Sequence, residues 1–126
     1  MKRRTAIGVT ALMPVAASEL LDQVKAPLRP PDVRYEPSSE AISRAILKLA
    51  DVTGKDVVYD LGCGDGRIVI MAVKEFGARA VGIDIDPERI KESQVNAQHA
   101  GAGPRAQFRN EDLFESDISK ATVVTL

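Results

Sequence analysis

The chain has one cysteine and one histidine in 126 residues, and its charges nearly cancel, to a formal net charge of -1. A lone thiol, Cys63, excludes an intramolecular disulfide and has no cysteine partner for a metal site. The single histidine, His99, ends the polar stretch 92–99 and reads as a surface residue rather than a base. Balanced charge without a basic stripe gives no bulk electrostatic case for nucleic acid. The apolar runs fall short of the roughly 20 residues that a membrane span needs. The chain shows neither internal repeats nor a low-complexity tract.

What is present fits one α/β unit. The apolar fraction of 44% is enough for a core, and the length suits a single domain. Short β-branched runs read as strands of a parallel sheet buried on both faces. Three segments divide the chain: a leader over 1–25, a linker over 26–37 that holds four prolines, and a domain over 38–126. Within the domain the pattern predicts a helix over 39–50, with Ile42, Ala45, Ile46 and Leu49 as its apolar stripe and Ser38 as its cap. A strand follows over 57–61. A second helix spans 67–76, with Val69, Ala72, Val73 and Phe76 on one face. A strand over 80–84, a helix from 87 to about 100, a short strand that ends in an acidic turn within 106–113 and a strand within 120–126 complete the order.

The most informative stretch is Asp60-Leu61-Gly62-Cys63-Gly64-Asp65-Gly66-Arg67. A strand ends in an acid, a turn follows with glycine at alternate positions, and a helix begins. Glycine permits positive φ and lets a ligand approach bare backbone. Dinucleotide turns place their third glycine one residue further on, where this chain has Arg67. About 20 residues later a second strand ends in Asp84, the place where a carboxylate accepts both hydroxyls of a ribose. Asp86, Pro87 and Glu88 read differently, as a helix cap, proline at the first helical position and an acid in the first turn. A third strand runs into Asn110-Glu111-Asp112-Leu113.

The Asp-x-Gly-x-Gly-x-Gly arrangement resembles motif I of the class I S-adenosylmethionine-dependent methyltransferases. The likeness extends over about 31–126. With 33–39, 47–50 and the Asp112-Leu113-Phe114 turn, it resembles the bacterial methyltransferase-domain proteins related to the ATP synthase c-subunit lysine methyltransferases. The resemblance implies a Rossmann-like class I methyltransferase fold, of which this chain supplies an N-terminal half with strand order 3-2-1-4 and flanking helices. It implies S-adenosyl-L-methionine as cofactor and a protein lysine as acceptor. The implied cofactor-binding residues are Asp60, Gly62, Cys63, Gly64, Asp65 and Gly66 in the first turn. Asp84 would bind the ribose, with Ile85 against the adenine. Asp112 would receive the adenine amino group, and the Leu113 N–H would meet the ring. No catalytic base and no metal ligand can be assigned.

The leader has two readings. Lys2, Arg3 and Arg4 form a basic start, 5–18 carry no charge, and Val15, Ala16 and Ala17 suit a signal peptidase. That pattern reads as an export signal. The other reading is a short amphipathic extension that stays in the cytoplasm, which a cytosolic cofactor favours; membrane attachment through the N-terminus stays open beside both. Because only four strands of the implied sheet are present, the last is expected to be an exposed edge carrying Val123, Val124 and Leu126. The alternative to an enzyme is a non-catalytic cofactor-binding or interaction module. A nicotinamide-dependent oxidoreductase is the third class, and Arg67 argues against it.

Overall fold

A computed structural model describes residues 4–6 and 38–126. Five strands form one fully parallel sheet: β1 (Arg4–Ala6), β2 (Val57–Leu61), β3 (Arg79–Asp84), β4 (Ala106–Asn110) and β5 (Val123–Thr125). Their order is β1-β5-β2-β3-β4. Apart from β1, this is the 3-2-1-4 order expected from the sequence. Among the described residues three α-helices accompany it: α1 (Glu40–Leu49), α2 (Arg67–Phe76) and α3 (Pro87–Ala100). Among the described residues no helix is long and apolar enough to cross a membrane.

Strand alternation builds two cores. Val58, Ala80 and Val123 face the helices and join Leu47 of α1, Val69 and Ala72 of α2 and Ile90 of α3. Their neighbours Tyr59, Val81 and Val124 turn to the opposite face and cluster with Ile83 and Ala121. Leu47, Val58, Val69 and Ile83 are fully buried, and such side chains each contribute about 1.5–3 kcal/mol.

Two local expectations are corrected. Ser39, not Ser38, caps α1, accepting from the Ile42 N–H at 3.2 Å. The buried stripe of α1 is Ser43, Ile46, Leu47 and Ala50, while Ala45 and Leu49 are exposed. Both registers have helical spacing. Packing selects the one that carries Leu47, the residue aimed at the sheet. By contrast α3 starts as predicted: Asp86 accepts from the Glu88 N–H at 2.9 Å, with Pro87 first in the helix.

The expected bare edge at the last strand is also corrected. β1 pairs with β5 in parallel, Arg4 opposite Val123 and Ala6 opposite Thr125. Arg4 adds an ion pair to the buried Asp56 and donates from Nη1 to the Asp51 carbonyl at 2.9 Å. Burial pushes the Asp56 carboxyl up, but bonds from Arg4, the Thr53 N–H and the Thr122 hydroxyl outweigh it and hold it below the usual range. A basic residue of the leader thus acts within the sheet. The rest of the leader and the proline-rich linker lie outside the described residues.

One glycine shapes the sheet near its carboxyl end. A Cβ on Gly82 would stand 2.8 Å from both Cβ and Sγ of Cys63 and 2.9 Å from Cδ1 of Phe108. Gly82→Ala should therefore cost about 1–3 kcal/mol through overpacking. Urea unfolding measures it, and an unchanged midpoint would mean that the Cys63 and Phe108 side chains yield freely.

Candidate functional site

The candidate residues gather at the carboxyl ends of β2, β3 and β4. The sheet order reverses between β2 and β5, and crevices at such reversals are where open parallel sheets bind ligands. The turn after β2 has Gly62, Gly64 and Gly66 all in the left-handed region, with φ of 84, 55 and 85 degrees. A side chain at any of them would be strained. The two ends of the turn differ in surroundings. A Cβ on Gly62 would meet open space, whereas one on Gly66 would come within 3.0 Å of Phe108 and Ser93.

The N–H groups of this turn are largely engaged. Those of Gly62 and Cys63 donate to the Ile83 carbonyl at 2.7 and 3.0 Å, and that of Gly66 donates to the Cys63 carbonyl at 2.9 Å. The Gly64 N–H donates to Asp84 Oδ2 at 3.0 Å. At the start of α2, the Arg67 N–H donates to Asp65 Oδ1 at 3.2 Å. The Arg67 guanidinium grips the same carboxylate, at 2.6 Å from Nη2, and donates from Nη1 to the Ser38 carbonyl at 2.7 Å. A carboxylate of the chain therefore sits where a helix N-terminus would otherwise draw an anion.

Helix α3 braces the turn from behind. The Ser93 hydroxyl, fully buried, donates to the Gly64 carbonyl at 2.7 Å, and the Asn96 amide donates to the Asp65 carbonyl at 3.0 Å. Neither residue was singled out from the sequence. The available signal was the weak apolar face of this helix, which is polar because part of it packs on backbone carbonyls.

Asp84 is half-buried at the end of β3. Its Oδ1 accepts from the Asp86 N–H at 2.9 Å, while Oδ2 accepts from the Gly64 N–H. Two backbone donors thus fix the carboxylate plane. Ile85 beside it is exposed. Asn110 ties this segment to the next, donating to the carbonyls of Asp84 and Ile85 at 3.0 and 2.9 Å. The Glu111 N–H adds a bond to the Asp84 carbonyl at 3.2 Å. Asn110 also escaped the sequence reading, because an asparagine before two acids looks like an ordinary turn. Asp112 follows, its Oδ1 accepting from the Phe114 N–H at 2.9 Å, and Leu113 packs half-buried on the second core.

The predicted set divides accordingly. Gly62 and Ile85 are exposed and Asp84, Asp112 and Leu113 half-buried, all near the carboxyl ends of the strands. Gly64 and Gly66 are buried within the turn. Three side chains of the set are engaged or buried. Asp65 is clamped by Arg67. Cys63 belongs to the main core, where burial first, and the nearby Asp60 charge second, push its thiol up to about 12. Its side chain is thus a packing group of that core. Asp60 is only 4% exposed and lies beneath the turn, accepting from the Thr125 hydroxyl at 2.7 Å. Burial, with the charges of Asp84 and Asp65, raises its carboxyl to about 7 despite the Thr125 bond. His99 is exposed on α3. Among the described residues no group of three His, Cys, Asp or Glu side chains could hold a metal ion.

Residues 60–126 match the family model described as the ANTKMT methyltransferase domain. A protein-lysine N-methyltransferase of Saccharolobus islandicus is 48% identical over 97 residues, which cover 76% of this chain and 60% of the relative. A ribosomal protein L11 methyltransferase of an Enterobacter species is 45% identical over 74 residues, 59% of this chain and 25% of the relative. Among solved structures, an RNA methyltransferase from Salinibacter ruber in complex with S-adenosyl-L-homocysteine superposes with a TM-score of 0.71 and 54% identity, covering 72% of this chain and 60% of that one. The chain thus spans from a quarter to three fifths of the relatives it matches.

Proposed function

The chain belongs to the ANTKMT methyltransferase domain family, and we propose on that premise that its carboxyl-edge crevice binds S-adenosyl-L-methionine for methyl transfer to a protein lysine. When bound, this cofactor supplies a methyl group on a positively charged sulfonium, displaced in line by a lone pair of the acceptor.

One observation carries the cofactor reading: the turn gives its Gly64 N–H to a carboxylate of the chain, and the start of α2 faces Asp65. A pyrophosphate needs those same N–H groups and would meet Asp60, Asp65 and Asp84 at short range. A ligand with cationic centres meets attraction there instead. The residues also fit the ligand's two halves. Both Asp84 oxygens are pinned by backbone donors, so their remaining lone pairs are aimed and can accept two ribose hydroxyls. The exposed Ile85 offers an apolar surface to the adenine ring. Asp112 can accept from its amino group, since its Oδ1 bond to Phe114 fixes the carboxylate. The open face of Gly62 leaves room for the methionine part.

Positioning is the main work left to the protein, and orientation alone supplies about 7–11 kcal/mol of such barriers. A lysine acceptor must arrive neutral, against an ordinary value of about 10.4. The acceptor reading rests on the Saccharolobus islandicus relative. The Salinibacter ruber structure is described as an RNA methyltransferase, which keeps RNA as the second reading.

Calorimetry on the full chain checks the cofactor. Saturable heat with S-adenosyl-L-homocysteine and none with a nicotinamide dinucleotide is expected. Saturation by the dinucleotide alone would overturn the proposal.

A further inference from the structure

We propose that Thr125 is a positioning residue of this crevice: its hydroxyl fixes the Asp60 carboxyl beneath the glycine turn and so couples strand β5 to binding of the cofactor. The inference rests on the cofactor reading above.

Asp60 and Thr125 stand directly opposite one another in the β2–β5 register, at the point where the strand order reverses. Both side chains are buried, with Thr125 1% exposed, and the hydroxyl reaches Asp60 Oδ1 at 2.7 Å. The rest of the strand, Val123 and Val124, is apolar, and the Thr125 hydroxyl is its one side-chain polar group. The same row across the sheet continues from Asp60 to Gly82 and Phe108. Gly82 leaves the space that the Cys63 side chain fills.

Among the described residues, the titratable groups that face Asp60 are Asp84 from β3, and Asp65 and Cys63 from the turn. Burial and the two acids favour the neutral carboxyl, and the Thr125 bond favours the ionised one. Removing the hydroxyl should therefore keep Asp60 protonated to higher pH. An ionised Asp60 attracts the cationic centres of S-adenosyl-L-methionine, and a neutral one does not. Thr125 is itself buried. It acts through Asp60.

The test combines a carboxyl-carbon NMR titration of Asp60 with S-adenosyl-L-methionine affinity between about pH 5.5 and 7.5, below the range where an α-amino group titrates. In Thr125→Val the Asp60 titration should move up by about one pH unit, a tenfold change in its ionisation constant. The rise of affinity with pH should move with it, and Thr125→Ser should restore both. Thr125→Ala deletes the same hydroxyl and carries the same expectation if the valine variant fails to fold. In an Asp60→Asn background, Thr125→Val should change the pH profile no further. A titration unmoved by loss of the hydroxyl, or an affinity loss equal at every pH, would overturn the role of Thr125 while leaving the cofactor reading intact. A parent chain that does not bind S-adenosyl-L-methionine at all would overturn both.

Discussion

Asp60→Asn should make the chain's stability much less dependent on pH. Asp60 is buried, and its carboxyl is raised to about 7 chiefly by that burial. An unfolded aspartate ionises near 3.9. Between these values the folded chain holds a proton that the unfolded chain has lost. Stability therefore falls as pH rises from about 4 to about 7, and it levels above that. Three pH units at about 1.4 kcal/mol each give a loss on the order of 4 kcal/mol from this one group. Asparagine keeps the shape and an oxygen for the Thr125 hydroxyl, and it carries no charge to bury. The stability difference between parent and Asp60→Asn should thus grow in favour of the variant from about pH 5 to about pH 8. Urea unfolding at both values measures it. A difference that stays constant would show that Asp60 does not titrate in this window. The expected cost is functional: the variant would lose the charge that the cofactor's cationic centres meet.

The second large effect concerns Asp84→Ala. Losing the bonds to this charged acceptor should cost about 1.5–3 kcal/mol in all, so S-adenosyl-L-homocysteine affinity should fall about ten- to a hundredfold, at about 1.4 kcal/mol per decade. The variant also releases the Gly64 and Asp86 N–H groups that Asp84 now holds, which loosens the turn as well as removing the ribose partner. Asp86→Ala is the matched control. It removes the cap of α3 and should lower stability by about 1 kcal/mol with little effect on affinity. Calorimetry and thermal unfolding on both variants separate the roles. If Asp86→Ala weakened binding more than Asp84→Ala, the assignment of the ribose ligand would be wrong.

The parts of this site that were legible in the sequence are those with a local cause. Three alternating glycines announce a backbone that must pass repeatedly through the left-handed region, and all three do so. Apolar runs ending in Asp60 and Asp84 announce strands, and the residues of those runs are buried on alternating faces. The cap at Asp86 needs only its own neighbours.

What was not legible depends on partners far along the chain. Ser93 and Asn96 look like solvated helix residues until the turn some 30 positions earlier is seen to place its carbonyls against them. Asn110 reads as loop until Asp84 and Ile85 present their carbonyls. Edge pairing leaves still less local trace. Arg4, Thr5 and Ala6 carry no strand pattern of their own, and β5 supplies the ladder that makes them a strand. The α1 stripe failed for a related reason. Two helical registers had the right spacing, and counting apolar residues preferred Leu49 over Leu47. The sheet buries Leu47 and leaves Leu49 84% exposed.

The central claim is that the glycine turn, Asp84 and the Asp112 turn form one S-adenosyl site, and a backbone amide NMR titration of the chain with S-adenosyl-L-homocysteine tests it most directly. Saturable shifts are expected together at Gly62, Gly64, Ile85 and Leu113, with the same dissociation constant at each and small changes at the opposite end of the sheet. Shifts confined to one of the three segments, or centred away from the carboxyl ends of the strands, would contradict it.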